Sequence, residues 1–458
     1  MLWKEDVLKT SVILENEHHG IILTSSNRHP GKLFLFFRWQ NLRGPPCIQG
    51  WVPWIGAGFE FGKAPLEFIE KARLKYGPIF TIFAMGNRMT FVTEEEGIDV
   101  FLKSKHVNFE LAVQNPIYHT AWIPKNVFLA LHEKLYVLMK GKMETLNMHQ
   151  FTGQLTEEFR EQLENLGAHG TMDLNNFVRV VFQNKRKIKE FYQHFKTYDE
   201  GFECGTQLPE WLLSALAIVK IWKSGKLWVL ALASHLDLDR TFMQAVLDIV
   251  ETETGQHSPN YVLLLCSGHL HLSCPTVRSP DIHKTILEGI SSMFGTAGKD
   301  KIKVSEDDLK KLPLIKWCVL EAIRLRAPGV ITRKVVKPVK ILLSSGFSHT
   351  VPPGDLLMVS PFWLHRNPEH FLELDSFKPE RWKEANLDKN VFLDCFMAFG
   401  GMKFQCPGRW FALLEIQICI ILVLYKYDCS LLDPLPKQVK LSSFGGYPPA
   451  RREMPNRI

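Results

Sequence analysis

The 458-residue chain has nine cysteines and none of the pairings that give cysteine a structural role. Cys47, Cys204, Cys266, Cys274, Cys318, Cys395, Cys406, Cys419 and Cys429 are scattered and odd in number, with no C-x-x-C spacing. That excludes the common zinc frameworks and a secreted disulfide scaffold, and it fits reduced thiols facing the cytosol. Continuous apolar runs are also missing. A spanning helix needs about 20 apolar residues; "SVILENEHHGIILTSS" is broken by charge and "KLFLFFRW" is short. Neither a signal-peptide pattern nor an internal repeat is present. No Gly/Ser/Pro-rich linker divides the body, so the expectation is an atypical segment over residues 1–43 without a clear membrane anchor, then one large domain over 44–458.

What is present is a globular composition, 46% hydrophobic and 22% charged, with 31 Phe and 12 Trp. The net charge of +7 is too diffuse to imply nucleic acid, and suits an anionic membrane surface or an acidic partner protein. The run Lys185-Arg186-Lys187-Ile188-Lys189 reads as a solvated helix face.

Helical spacing covers 65–77, with Gly77 as a stop, and most of 126–166. "PIFTIFAMGNRMTFVT" reads as two strands around Gly86-Asn87. Ser305 and Asp308 form an S-x-x-D cap that opens one strong helix ending near Ala327-Pro328-Gly329. "RKVVKPVKILL" and "VPPGDLLMVS" are strand-like, and 408–427 is apolar nearly all round, which with Glu415 and Gln417 inside it predicts a buried core helix. The fold class expected is mainly α with small β-sheets.

Three constellations carry chemistry. In "FMAFGGMKFQCPGRWFALLE", Gly400-Gly401 permit a tight turn, and Cys406 falls at a helix start with Pro407 in the first helical position. Free N–H groups and partial positive charge at that end favour a thiolate, and a thiolate in an apolar, Phe-rich site is a good soft ligand for haem iron. The bland alternative is a buried Cys before a core helix. Glu321 and Arg324 stand at i and i+3 on one helix face, an ordinary surface pair when taken alone. Arg381, after Pro379 in "FKPERW", supplies a third charge, and one Glu shared by two Arg would lock a helix to a meander.

The order E-x-x-R, then P-E-R-W, then a Phe/Gly loop with Cys, continued by Cys406-x-Gly408-x-x-x-Ala412-x-x-Glu415, resembles the cytochrome P-450 superfamily. "GWVPWIGAGFEFGKAPLEFIEKARLKYGPIF", "FWLHRNPEHF" and "DCFMAFG" resemble its microsomal sterol 7α-hydroxylase branch. The resemblance implies a cytochrome P-450 fold around haem b, with Cys406 as the axial iron ligand, Phe399 and Gly400 beside the sulfur, and Arg333 pairing with a haem propionate. Glu321, Arg324 and Arg381 would form the structural triad. Val330 and Ile331 would lie on the substrate side, or else are simply a strand edge. The activity implied is monooxygenation of an oxysterol with O2, in cholesterol catabolism and bile acid synthesis. Electrons would come from NADPH-cytochrome P-450 reductase, at the cytosolic face of the endoplasmic reticulum membrane and against its lipid. Lys403 and Arg409 flank Cys406 and are candidates for steering an acidic partner, or are plain solubility charges.

Several positions depart from the family pattern. Met402 stands where the family has a bulge Gly, and Phe404 where it usually has a basic residue. Residues 258–278 leave no room for the long distal helix, since Pro275 stops the apolar run, and a core helix after Asn176 is expected to be missing. "AGKDK" at 297–301 imitates the family's oxygen-binding box but reads as a loop. Two alternatives therefore stay open: a haem-thiolate isomerase or dehydratase, and a catalytically impaired or inactive P-450-like chain.

Overall fold

The computed structural model describes residues 11–16, 19–24, 36–40, 44–121, 124–145, 149–171, 177, 280–295, 301–326, 330–383, 396–401, 404–406 and 408–429. The expected gaps at 258–278 and after Asn176, the basic run at 185–189, Met402, Lys403 and most of "AGKDK" lie outside the described residues. The chain divides into two compact units, one formed by the segment up to residue 112 with 330–360, the other by 113–329 with 361–440.

The first unit holds the sheets. Strands β1 (Ser11–Asn16), β2 (His19–Thr24) and β3 (Phe36–Gln40) form an antiparallel meander. A six-stranded sheet is built from β4 (Cys47–Ile48), β5 (Ile79–Ala84), β6 (Asn87–Val92), β7 (Val107–Asn108), β8 (Ile331–Val335) and β11 (Leu356–Val359), in the order β4-β5-β6-β11-β8-β7. Strands β9 (Val339–Leu342) and β10 (Ser348–Val351) make a separate hairpin. Helices α1 (Gly58–Lys63), α2 (Pro65–Tyr76) and α3 (Glu95–Lys103) belong to this unit. Helix α2 has Pro at its start and ends at Gly77, whose φ of 92° suits glycine.

The β5–β6 turn lies one residue earlier than the sequence suggested. Ala84 pairs with Asn87, so Met85 and Gly86 form the turn, with φ of 50° and 78°. A two-residue hairpin that follows the strand twist needs positive φ at both positions, and Met85 accepts it without being glycine. Behind the hairpin, the Thr81 and Thr90 hydroxyls bond each other at 2.9 Å. Asp355 receives Arg88 Nε at 2.8 Å and the Thr90 hydroxyl at 3.2 Å, which joins β11 to β6 through side chains as well as backbone.

The second unit is helical. It contains α5 (Lys125–Thr145), α6 (His149–Asn165), α7 (Pro280–Phe294), α8 (Glu306–Lys311), α9 (Pro313–Arg326), α10 (Pro361–Leu364), a 3-10 turn at Pro379–Trp382, and α11 (Arg409–Lys426); α4 (Glu110–Ala121) begins in the first unit. Its core forms around α11, where Leu413, Ile416, Ile418, Ile420, Ile421 and Leu424 are buried and where α6, α7 and α9 pack. A helix that is apolar on every side must be covered on every side. Among the described residues no helix is long and apolar enough to cross a membrane.

The single helix expected over 305–327 is two. Ser305 caps α8 through a complete capping box with Asp308, as its spacing indicated. Pro313 then ends the run, because it lacks an N–H and its ring clashes with the preceding turn, and it becomes the first residue of α9. The break leaves Glu321 and Arg324 on α9 alone.

Candidate functional site

Glu321 and Arg324 are fully buried, three residues apart on α9. Arg324 Nε reaches Glu321 Oε2 at 3.0 Å and Nη2 reaches Oε1 at 2.9 Å, a two-pronged pair. The remaining guanidinium hydrogens go to backbone: Nη1 donates to the carbonyls of His365 at 2.9 Å and Leu374 at 2.8 Å, and Nη2 to that of Ser376 at 3.3 Å. All five N–H donors are therefore used. Glu321 also accepts from Arg381 Nε at 3.1 Å, the Lys378 amide at 3.0 Å and Trp382 Nε1 at 2.9 Å. Burial pushes the carboxyl up, but the bonds from Arg324, Lys378 and Trp382 outweigh it, and Glu321 titrates below the usual carboxylate range.

The structure thus brings Glu321, Arg324 and Arg381 together. Sequence reasoning missed three participants: the Trp382 indole, the Lys378 amide and the carbonyls taken by Arg324. The Trp stood in the same P-E-R-W run and is a donor that is costly to bury unpaired, so a signal for it existed. Backbone groups carry no such signal.

The network passes to the cysteine loop through aromatic rings. His365 stacks on Phe396 with centroids 4.8 Å apart, and Trp382 meets Phe396 edge-on at 4.6 Å. Burial holds the His365 imidazole neutral, lowering its pKa to about 3. Phe396 then opens the loop that leads to the sulfur. Gly400 turns there with φ of 75°, and a Cβ on it would meet the Phe404 carbonyl oxygen at 3.1 Å. Phe399, packed against the helical core, accepts the Cys406 amide at 2.8 Å.

Cys406 is exposed, unlike the other described cysteines: Cys318 and Cys419 are buried, Cys47 and Cys429 half-buried. Helix α11 begins two residues later than the sequence suggested, with Gly408 as its cap and Arg409 as its first residue. The Gly408 and Arg409 amides lie near enough to the thiol to favour its charged form, and the Arg409 amide donates to the Cys406 carbonyl at 3.5 Å. The helix start does not by itself make a thiolate. Crowding by protein on its inner side pushes the thiol above its ordinary value, more than those amides and the Arg409 charge pull it down. A cation at the sulfur would supply that stabilisation, since metal coordination deprotonates a thiol. The Arg409 guanidinium is occupied nearby, with Nη1 on the Cys406 carbonyl at 3.2 Å and the charge over the Trp410 ring at 5.1 Å.

Arg333 lies on β8 in the first unit, 5% exposed. Its guanidinium sits over the Phe101 and Phe109 rings at 4.7 and 5.0 Å, and Nη1 donates to the Thr332 carbonyl at 2.9 Å. Burial lowers its pKa to about 10, with Glu110 opposing. A cation desolvated this strongly gains from a nearby anion. Val330 and Ile331 precede it, both half-buried. Ile331 pairs with Val359 of β11, whereas β7 covers only Lys334 and Val335.

A family model for cytochrome P450 matches residues 45–191 and 276–448. The chain belongs to the cytochrome P450 family. Haem-thiolate chemistry, a redox partner and O2 are the terms of that family's reaction. The chain is 68% identical over 442 residues to 24-hydroxycholesterol 7-alpha-hydroxylase of Mus musculus, covering 89% of this chain and 91% of that protein. It is 65% identical over 448 residues to the Homo sapiens protein of the same name, covering 90% and 93%. Lanosterol 14-alpha demethylase of Candida tropicalis is 23% identical over 450 residues, 84% of each chain. The Cys406 thiol, on an exposed residue, is a soft donor of the kind that haem iron accepts.

Proposed function

We propose that this P450 hydroxylates 24-hydroxycholesterol at the 7α position, with haem b held by the Cys406 sulfur. The identity of more than 60% to two mammalian 24-hydroxycholesterol 7-alpha-hydroxylases over nine-tenths of the chain carries this reading. When bound, a thiolate-ligated haem activates O2 and delivers one oxygen atom into an unactivated C–H bond.

The residues of the chain bind, orient and hold charge. Cys406 binds the iron through its exposed sulfur, and the Gly408 and Arg409 amides stabilise negative charge there. Phe399 fixes the loop by accepting the Cys406 amide, and Gly400 gives the turn its positive φ. Arg333 would pair with a haem propionate, which offsets the desolvation that disfavours its charge. The Glu321, Arg324 and Arg381 network holds α9 to the 3-10 turn at Pro379–Trp382 and, through Phe396, holds the loop that delivers the sulfur. Val330 and Ile331 present apolar surface to a sterol, whose recognition demands apolar lining and few polar anchors. Electrons come from NADPH-cytochrome P-450 reductase, and the protein works at the cytosolic face of the endoplasmic reticulum membrane.

The deciding experiment is conversion of 24-hydroxycholesterol by the haem-loaded protein with reductase and NADPH. A 7α-hydroxylated product that disappears when either is omitted supports the reading. A thiolate-type spectrum with product formed from other sterols alone would reassign the substrate.

A further inference from the structure

One peptide plane carries the chain from Gln405 into Cys406, and both of its polar groups are engaged. Its N–H, from Cys406, donates to the Phe399 carbonyl at 2.8 Å. Its C=O, from Gln405, accepts from the hydroxyl of Tyr136 on α5. In a trans peptide these groups point in opposite directions. Bonds at both ends therefore stop the plane from rotating about its long axis. That rotation sets φ of Cys406, and with it the direction in which the Cβ and the sulfur point. The first bond is internal to the loop. The second comes from a residue 269 positions away in the chain.

Tyr136 is itself held by the loop it holds. The Phe404 ring lies 5.9 Å from the Tyr136 ring and 6.2 Å from that of His132, one turn earlier on α5. The position two before the cysteine, where the family usually carries a basic residue, is here an aromatic wedge against α5. The Phe404 amide also bonds the Gly401 carbonyl at 3.3 Å, so the wedge is tied into the turn.

We infer that Tyr136, with Phe404 as its wedge, is a positioning residue for the Cys406 sulfur. It acts through the Gln405 carbonyl and does not touch the metal. This rests on the assignment of Cys406 as the iron ligand. A sulfur whose peptide can rotate loses its aim at the iron, and a misdirected ligand makes a weaker metal bond.

The test uses Tyr136→Phe, which removes one oxygen and keeps the ring, in the full-length haem-loaded protein. Tyr427→Phe is the control. Tyr427 sits at the far end of α11, and its hydroxyl bonds the Leu163 and Gly167 carbonyls at 2.6 and 2.9 Å. Three readouts apply: the carbon-monoxide spectrum of the reduced protein, the iron reduction potential, and amide exchange at Cys406. Tyr136→Phe is expected to speed conversion of the thiolate-type band to the neutral-thiol type several-fold, to shift the potential, and to raise Cys406 amide exchange about tenfold, the equivalent of one net hydrogen bond. Phe404→Ala should move all three the same way. Tyr427→Phe should lower thermal stability and leave all three unchanged. A Tyr136→Phe protein whose band lifetime, potential and exchange match the unmodified protein overturns the positioning role. So does a Tyr427→Phe protein that shifts them equally. A Cys406→Ala protein with an unchanged spectrum overturns the ligand assignment itself, and the positioning role falls with it.

Discussion

The Glu321 network and the Cys406 loop lie in the same helical unit and are built in opposite ways. Glu321 and Arg324 are sealed from solvent, and every N–H of the arginine is spent on protein acceptors. Cys406 is exposed and keeps one face free, with support from two amides and a peptide clamped from behind. Over-satisfied charge fixes shape, because any rearrangement strands a buried ion. An under-committed sulfur leaves room for a ligand bond. The same chain segment joins the two through Phe396, so the rigid part sets the position of the open part.

If that division is real, mutations should separate stability from spectroscopy. The largest effect on folding is expected from Glu321→Gln, which keeps the shape but leaves Arg324 and Arg381 facing a neutral amide. Removing one partner of a buried pair costs about 3–5 kcal/mol, and urea unfolding or soluble yield will read it. Trp382→Phe removes a donor from Glu321 Oε2 and part of a fully packed ring. About 2–3 kcal/mol is expected, measured the same way.

Glu415 tests the helix that follows the cysteine. Burial, with Glu158 adding to it, raises its pKa to about 7 from an ordinary 4.5. The folded state therefore holds a proton that the unfolded chain releases. The stability this group contributes is fully present below pH 4.5 and is lost as pH rises through about 7. Glu415→Gln should flatten the pH dependence across that window and raise stability at neutral pH, by on the order of 2 kcal/mol. Denaturant midpoints across that window will show it.

The smallest change in stability is expected from Cys406→Ala. Cys406 is exposed and lies outside the core cluster, so the cost to the haem-free protein should stay within about 0.5 kcal/mol, yet the thiolate band of the haem-loaded protein should vanish completely. A Cys406→Ala protein destabilised as much as Glu321→Gln would erase the contrast between the two regions.

Local signals in the sequence were reliable where one residue type settles the matter. The Ser305–Asp308 cap, Gly77 as a stop and the buried helix at Arg409–Lys426 all follow from short-range sterics and apolar spacing. The same reasoning read through Pro313 as if the helix continued, and placed the β5–β6 turn one residue late, because strand register is decided by the partner strand.

The sequence by itself determined the family, the kinds of donor available and their order along the chain, since these depend only on which side chains are encoded. The tertiary structure alone decided which groups meet: Trp382 and the Lys378 amide on Glu321, three carbonyls on Arg324, and Tyr136 on the Gln405 carbonyl. Backbone donors and acceptors are the same at nearly every residue, so their pairing over long separations is fixed by packing geometry and leaves no mark in residue type.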